Sequence, residues 1–463
     1  MAIKIALPKG RLLSETAALL KRADWGLSDY HKEARFYHLQ SQKFPNLSVR
    51  VFHEKDIPIQ VAVGNYDLGI CGLDCIEELL AKYPTSALVK VKNLTYGAGG
   101  LYVAASKSAG PTVEELQAKQ SIIRIATEYP NLAELFALNL RLRRFGIFPL
   151  WGAAEVYPPE SADLALVLKR TEAELSCYDL IPVSKVTNSN AFLIANRSSW
   201  ESKDMGELLT SIGDKLLNSE KYPSANTAIP PQIAGQQLYS GAAKDMMWLA
   251  LPDGHQQSPT LHLLNKAGIQ IDDYPSPTGN RRPTTNLPDV FIKVIRPQDM
   301  PLQVANGNFD LAITGRDWLT EHLYQFPSSP VAELLDLKFG KVQIVAVVSK
   351  DLAEADIHKS MPLRVASEYV NIGDKYARDN HLGPYRVVPT WGASEAFIPK
   401  DADLLIENTQ TGRTITRHNL RIIDTLFEST ACLIGCKRSI SNPSKGGKIK
   451  SFAETLKTAI EDI

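Results

Sequence analysis

The chain has 463 residues, 44% of them hydrophobic, and 51 Lys plus Arg are balanced by 51 Asp plus Glu. That length allows about two to four domains with real cores, and a formal charge of zero argues against a nucleic-acid surface, which carries a basic excess. The opening apolar run is too short for a signal peptide and no run approaches a membrane span, so a soluble protein with five reduced cysteines in the cytoplasm is expected.

In chain order, IKIALP is predicted as a strand, LLSETAALLKRA as a helix, LSVRVF as a strand and DIPIQVAVG as a helix. The strand DLGI and the helix CIEELLAKY follow. Strands alternating with helices of this length predict parallel α/β sheets. A second α/β unit begins near Leu101, giving two lobes with a cleft between them, where open α/β sheets hold ligands.

The same order then returns. Residues 56–78, DIPIQVAVGNYDLGICGLDCIEE, match 299–321, DMPLQVANGNFDLAITGRDWLTE, without a gap. IATEYPNL (125–132) pairs with VASEYVNI (365–372), WGAAE (151–155) with WGASE (391–395), SADLAL (161–166) with DADLLI (401–406), and IALPKGRL (5–12) with LALPDGHQ (249–256). Blocks repeating in one order mean a tandem duplication. The first copy is assigned to 1–218, with its second lobe at about 104–184. The second copy is assigned to 245–463, with its second lobe at about 346–427 and starting near Val342. The segment 219–244, rich in Pro, Ser, Ala and Gly, is predicted as the linker.

Cys71 and Cys75, and Cys432 and Cys436, are each four apart, but no histidine stands near either pair. They are read as buried thiols rather than metal ligands.

Residues 403–420, DLLIENTQTGRTITRHNL, give an apolar strand, one acid and a turn of hydroxyl and glycine residues before a short amphipathic run. Such a turn aims successive backbone N–H groups at one spot and makes an anion pocket. Gly412 lets the backbone approach a ligand, Thr409, Thr411 and Thr414 add hydroxyls, and Gln410 and Arg413 complete the loop. Glu407 is placed to accept hydrogen bonds from a sugar diol, so the pocket suits a ribose 5-phosphate. An ordinary hydrophilic strand-to-helix loop has the same composition, and no Lys follows the glycine as in a P-loop.

Together these blocks resemble the short catalytic form of ATP phosphoribosyltransferase, the first enzyme of histidine biosynthesis. The resemblance rests on Lys9-Gly10-Arg11, Arg296 ahead of Asp299-Met-Pro, DLGICGLD and DLAITGRD, the two [IV]A[ST]EY blocks, the two WGA[AS]E blocks, and the loop from Glu407 to Ile415. It covers nearly the whole chain twice. It implies an α/β fold of two tandem, two-lobed copies of the type II periplasmic-binding-protein kind, a fused pseudo-dimer. It also implies attack of adenine N1 of ATP on C1 of phosphoribosyl pyrophosphate, with Mg²⁺ carried by the substrate. A histidyl-tRNA-synthetase-like regulatory subunit and assembly of pseudo-dimers into a homo-oligomer are further implied. The family's long form carries a regulatory C-terminal domain, which is expected to be absent here because the chain closes on the predicted helix SFAETLKTAIEDI.

The copies depart from the family pattern in complementary ways. Where the second copy has the glycine loop, the first has VLKRTEAEL (167–175), which places Glu172 and Glu174 where a phosphate would sit. The first copy keeps Lys9 and Arg35, while the second has Asp253 at the Lys9 position, Arg281 and Arg282 nearby, and Arg296. One composite site is therefore expected: the second copy's loop grips the sugar phosphate while Lys9, Arg35 and Arg296 stabilise the departing pyrophosphate. A well-placed donor of that kind supplies about 3 kcal/mol. Further candidates are Arg11, Asp317, Glu368 and Tyr369. Asp317 equally suits a helix N-cap, Glu368 and Tyr369 suit a cap for the next helix, Arg296 suits a pair with Asp299, and Trp151 and Trp391 suit packing. The alternative function is a non-catalytic tandem binding or regulatory pseudoenzyme for an anionic metabolite.

Overall fold

The computed structural model describes residues 2–31, 37–217, 245–351 and 362–461. The linker expected at 219–244 and the candidate Arg35 lie outside them.

The first copy supplies β1 (Ile3–Lys9), β2 (His38–Gln40), β3 (Leu47–His53), β4 (Leu68–Gly72) and β5 (Leu88–Asn93). It continues with β6 (Gly99–Ser106), β7 (Ile123–Thr127), β8 (Phe145–Pro149), β9 (Leu164–Lys169), β10 (Leu180–Ser189) and β11 (Ala191–Asn196). The first-lobe sheet has the order β2-β3-β1-β4-β11-β5 and the second-lobe sheet the order β10-β6-β9-β7-β8. The chain thus leaves the first lobe after β5, builds the second, and returns through β11.

The second copy supplies β12 (Met247–Pro252), β13 (Ile271–Asp272), β14 (Thr284–Thr285), β15 (Val290–Ile295), β16 (Leu311–Gly315) and β17 (Val331–Asp336). Then come β18 (Val342–Ser349), β19 (Leu363–Ser367), β20 (Tyr385–Pro389), β21 (Leu404–Thr409), β22 (Leu420–Ser429) and β23 (Ala431–Cys436). Its two large sheets have the orders β15-β12-β16-β23-β17 and β22-β18-β21-β19-β20, which repeat the first copy's apart from the edge strand β2, while β13 and β14 pair separately. Each copy has the type II periplasmic-binding-protein architecture, with one lobe inserted in the other.

The sheets are mixed rather than purely parallel. β1 runs parallel to β3 and β4, and β7 to β8 and β9, as helical crossovers require. The strands that carry the chain between lobes run against their neighbours: β11 is antiparallel to β4 and β5, and β6 to β9 and β10; the edge strand β2 is also antiparallel to β3. A chain that crosses and returns must reverse direction in each sheet.

Local chemistry fixes the repeated elements. The helices Ile57–Ala62 and Met300–Ala305 each carry proline in the first turn, where its missing N–H costs nothing. Each gives way to a left-handed glycine, Gly64 at φ +82° and Gly307 at φ +78°.

The two copies pack head to tail, each first lobe against the other copy's second lobe. One core cluster joins Ile5, Val51 and Phe52 to Val345, Ala366 and Phe397; another joins Ala154, Val156 and Tyr157 to Ala250, Ile295 and Met300. Phe52 meets Phe397 edge-on with centroids 5.0 Å apart. The polar ties are lopsided. At one seam Tyr66 donates to Asp401 (2.8 Å) and Arg50 to the Ala396 carbonyl. At the other, buried Lys293 and Arg282 both reach Glu160, at 2.7 and 3.2 Å. Burial, then Arg282, push the Lys293 amine down to about 7 against the pull of Glu160.

Candidate functional site

The ends of the parallel strands place the site. β21 runs into Asn408 and Thr409, and Gly412 follows in the left-handed region at φ +67°, with open space where a Cβ would stand. The Gly412 N–H donates to Thr409 Oγ1 (2.9 Å), which closes the turn. Gln410, Thr411, Arg413 and Thr414 are exposed around it, so the loop's polar face looks out of the sheet.

Glu407 is half-buried behind the loop. It accepts from the Ser394 hydroxyl and from the Asn408 N–H (2.9 Å). Burial, then Glu368 and Glu395, push its carboxyl up to about 8, against the Ser394 and Asn408 hydrogen bonds. Glu368 is itself raised to about 7, by burial first and Glu395 next, and Lys9 opposes this. Three carboxylates from the end of β19, from the WGASE turn and from β21 therefore share one region with a lysine of the first copy.

Lys9 stands at the end of β1 and donates to the Tyr37 hydroxyl (2.8 Å). The Tyr37 ring stacks on His418, just past the loop's short helix, with centroids 4.9 Å apart and planes 14° off parallel. The first copy's lysine is thereby tied to the lobe that carries the glycine loop.

The cleft between the lobes of the second copy encloses about 160 Å³, lined by Asp253, Arg296, Asp317, Glu368, Tyr369 and Asn408 among others. Arg296 pairs with Asp253 (3.3 Å) rather than with Asp299, whose carboxylate takes the Trp151 N–H of the first copy (3.0 Å). Asp317 lies within the first turn of the helix Arg316–Gln325, whose N-cap is Gly315. It accepts from Ser429 (2.8 Å) and from Tyr369 of the opposite lobe (2.6 Å), and Asn408 donates to Tyr369 (3.0 Å). This hydrogen-bond chain links the loop to the far lobe. Trp318 packs on Tyr369 at 4.4 Å, and Trp151 lies 5.8 Å from Trp318 and 6.5 Å from Trp391.

The first copy's cleft is filled by its own charges. Arg11 bonds Glu54 (3.1 Å) and Asp74 (3.0 Å), so it stands apart from the glycine loop. Tyr129 donates to Asp74 (2.8 Å), and Lys55 of one lobe pairs with Glu128 of the other at 2.7 Å. The counterparts of Arg11, Glu54 and Lys55 are His255, Pro297 and Gln298, which cannot repeat those pairs. In the first copy's loop Glu174 accepts from the Arg170 N–H (3.2 Å), so a side-chain carboxylate holds the place of an anion. Lys169 pairs with Glu155 (3.5 Å).

All five cysteines are buried, and among the described residues no group of three or more His, Cys, Asp or Glu is arranged to hold a metal. Among the described residues, too, no helix is long and apolar enough to cross a membrane. Sequence reasoning did not single out Glu395, Ser394, Tyr37 or His418. Glu395 and Ser394 lie inside the repeated WGA[AS]E block, where the Ala154-to-Ser394 difference was visible; Tyr37 and His418 meet only through the packing of the two copies.

The family model described as HisG: ATP phosphoribosyltransferase matches the chain twice, at 53–216 and 296–458. An ATP phosphoribosyltransferase from Prosthecochloris aestuarii is 32% identical over 224 residues, covering 47% of this chain and 73% of the relative. Another, from Solibacter usitatus, is 33% identical over 219 residues, covering 46% and 73%. Among solved structures, the ATP phosphoribosyl transferase (HisG:HisZ) complex from Thermotoga maritima aligns with TM-score 0.40 and 24% identity, over 47% of this chain and 100% of that one.

Proposed function

The chain belongs to the ATP phosphoribosyltransferase family, and from that premise we propose that it joins N1 of the ATP adenine to C1 of phosphoribosyl pyrophosphate and releases pyrophosphate, the first step of histidine biosynthesis. One composite site per chain carries the reaction. The observation that supports this most is the placing of Lys9, from the copy whose own loop is blocked, beside Glu368 and His418 of the copy whose loop is open.

The nucleophile is a neutral ring nitrogen, so positioning and charge stabilisation carry the rate. The N1–C1 bond forms while the bond from C1 to the pyrophosphate oxygen breaks, and the ribose ring gains oxocarbenium character. The loop from Thr409 to Thr414 binds the 5-phosphate, and Glu407 binds the ribose diol. Lys9 and Arg296 face the leaving pyrophosphate. Arg35 is assigned the same role from the resemblance alone. Mg²⁺ carried by the substrate would supply further neutralisation of the departing charge, and no side chain of the chain is assigned to hold it.

The test is a phosphoribosyl transfer assay with ATP, paired with calorimetry of phosphoribosyl pyrophosphate binding to the intact chain. We expect turnover, loss of turnover with chelator, and one binding site per chain. Absence of transfer would leave a pseudoenzyme, and two sites per chain would overturn the composite reading. Running the assay with and without a histidyl-tRNA-synthetase-like subunit decides whether a regulatory partner is required. Sedimentation of the intact chain reads its assembly state.

A further inference from the structure

The duplication supplies an internal control for what holds Lys9 in place. Tyr30 donates to the Pro8 carbonyl and Tyr274 to the Pro252 carbonyl, both at 2.7 Å, so Lys9 and Asp253, one residue further on, are structural counterparts. The Val51 N–H donates to Tyr37 O and the Val294 N–H to Arg281 O, both at 2.9 Å, which makes Tyr37 and Arg281 counterparts as well. In the second copy these positions form an Arg281–Asp253 ion pair at 2.9 Å. In the first they form a lysine held by a neutral phenol, an interaction that leaves the ammonium's charge available.

A lysine at the end of a strand has four rotatable bonds, and immobilising it costs side-chain entropy. Tyr37 removes part of that freedom, because its own ring is buried and stacked on His418 of the other copy. Burial, the first cause, lowers the His418 imidazole below its ordinary value, with Arg417 and Lys9 adding to the effect against Glu395. The ring that Tyr37 stacks on is therefore neutral near pH 7 and does not repel the ammonium. His418 follows directly on the helix Arg413–Arg417 that Gly412 caps. The stack thus fixes the lysine to the phosphate-binding loop and not merely to its own lobe.

We propose that Tyr37 is a positioning residue: clamped by His418, it sets the Lys9 ammonium against the pyrophosphate end of the site and couples the two copies. The proposal rests on the function proposed above. Tyr37→Phe keeps the ring and the stack but removes the acceptor. We expect kcat to fall about tenfold, equivalent to about 1.4 kcal/mol, with the KM for phosphoribosyl pyrophosphate within about twofold and the melting temperature unchanged. In a Lys9→Met background the same change is expected to have no further effect. His418→Ala is expected to lower kcat in the same way. A wild-type kcat in Tyr37→Phe, or an equal loss in the Lys9→Met background, overturns the clamp.

A readout independent of turnover separates the clamp from the function. In acetylation footprinting of the intact chain, Lys9 is expected to react at least about threefold faster in Tyr37→Phe, since an amine freed from a partner samples more open rotamers. Equal labelling rates overturn the clamp whether or not the wild-type chain turns over. Absent turnover with faster labelling overturns the assigned reaction instead.

Discussion

Glu172 of the first copy sits at φ −60° where its counterpart Gly412 in the second sits at φ +67°. One loop has turned into an ordinary helix start, and its carboxylate Glu174 occupies the backbone donor that a ligand would use. The other keeps the left-handed turn that opens its donors outward. The same α/β frame supports both states, because the apolar residue that follows each loop, Leu175 in the first copy and Ile415 in the second, stays buried.

Gly412→Glu is expected to remove binding of phosphoribosyl pyrophosphate by more than about 100-fold, since it adds a carboxylate at the anion pocket. Nothing lies within 4 Å of the added Cβ, so the cost to folding is the left-handed conformation, about 1 kcal/mol. Gly412→Ala should show that folding cost without the charge. Calorimetry and urea denaturation read the two effects separately.

Lys9→Ala is expected to lower kcat about 100-fold, equivalent to about 3 kcal/mol, although it lies in the copy without a working loop. Initial rates at saturating ATP check this, and near-normal activity would mean that the copies do not share a site.

The raised Glu407 carboxyl predicts that stability falls as pH rises. Its folded value, about 8, lies above the ordinary 4.5, so the folded state binds the extra proton between those limits. Stability contributed by the neutral acid is full below about 4.5 and is lost as pH rises through about 8. Relative to the wild type, Glu407→Gln is expected to lose less melting temperature between pH 5 and about 8. Equal pH slopes for the two proteins would show that Glu407 is ionised in the empty cleft.

Glu160→Gln is expected to destabilise the chain by about 3 kcal/mol, because Lys293 and Arg282 would lose the one carboxylate they share across the seam. Urea denaturation measures the loss, and replacing Lys293 by Met in the same chain should recover part of it.

Much of the candidate site is legible in the sequence because its signals are local. A glycine loop after an apolar strand, an acid at its edge and a lysine after the first strand are read from consecutive residues, and the duplication shows which copy kept each. The uses of Asp317 and Arg11 were not legible. The sequence around Asp317 suits a helix cap or a ligand contact, yet its carboxylate accepts from Tyr369, the N-cap of the helix Val370–Asp379, and from Ser429 at the end of β22. Arg11 sits in the same opening motif as Lys9, but its fork pairs with Glu54 and Asp74, whereas Lys9 donates to Tyr37.

The duplication, the alternation of strand and helix, and the loss of the glycine loop in one copy are legible in the residues alone, because each follows from short-range patterns and residue identity. That Lys9 and Tyr37 lie against the opposite copy's His418, and that the returning strands make the sheets mixed, emerges with the folded packing. Those outcomes depend on how the apolar faces of the two copies bury one another, and contacts between residues hundreds of positions apart leave no periodicity in the chain.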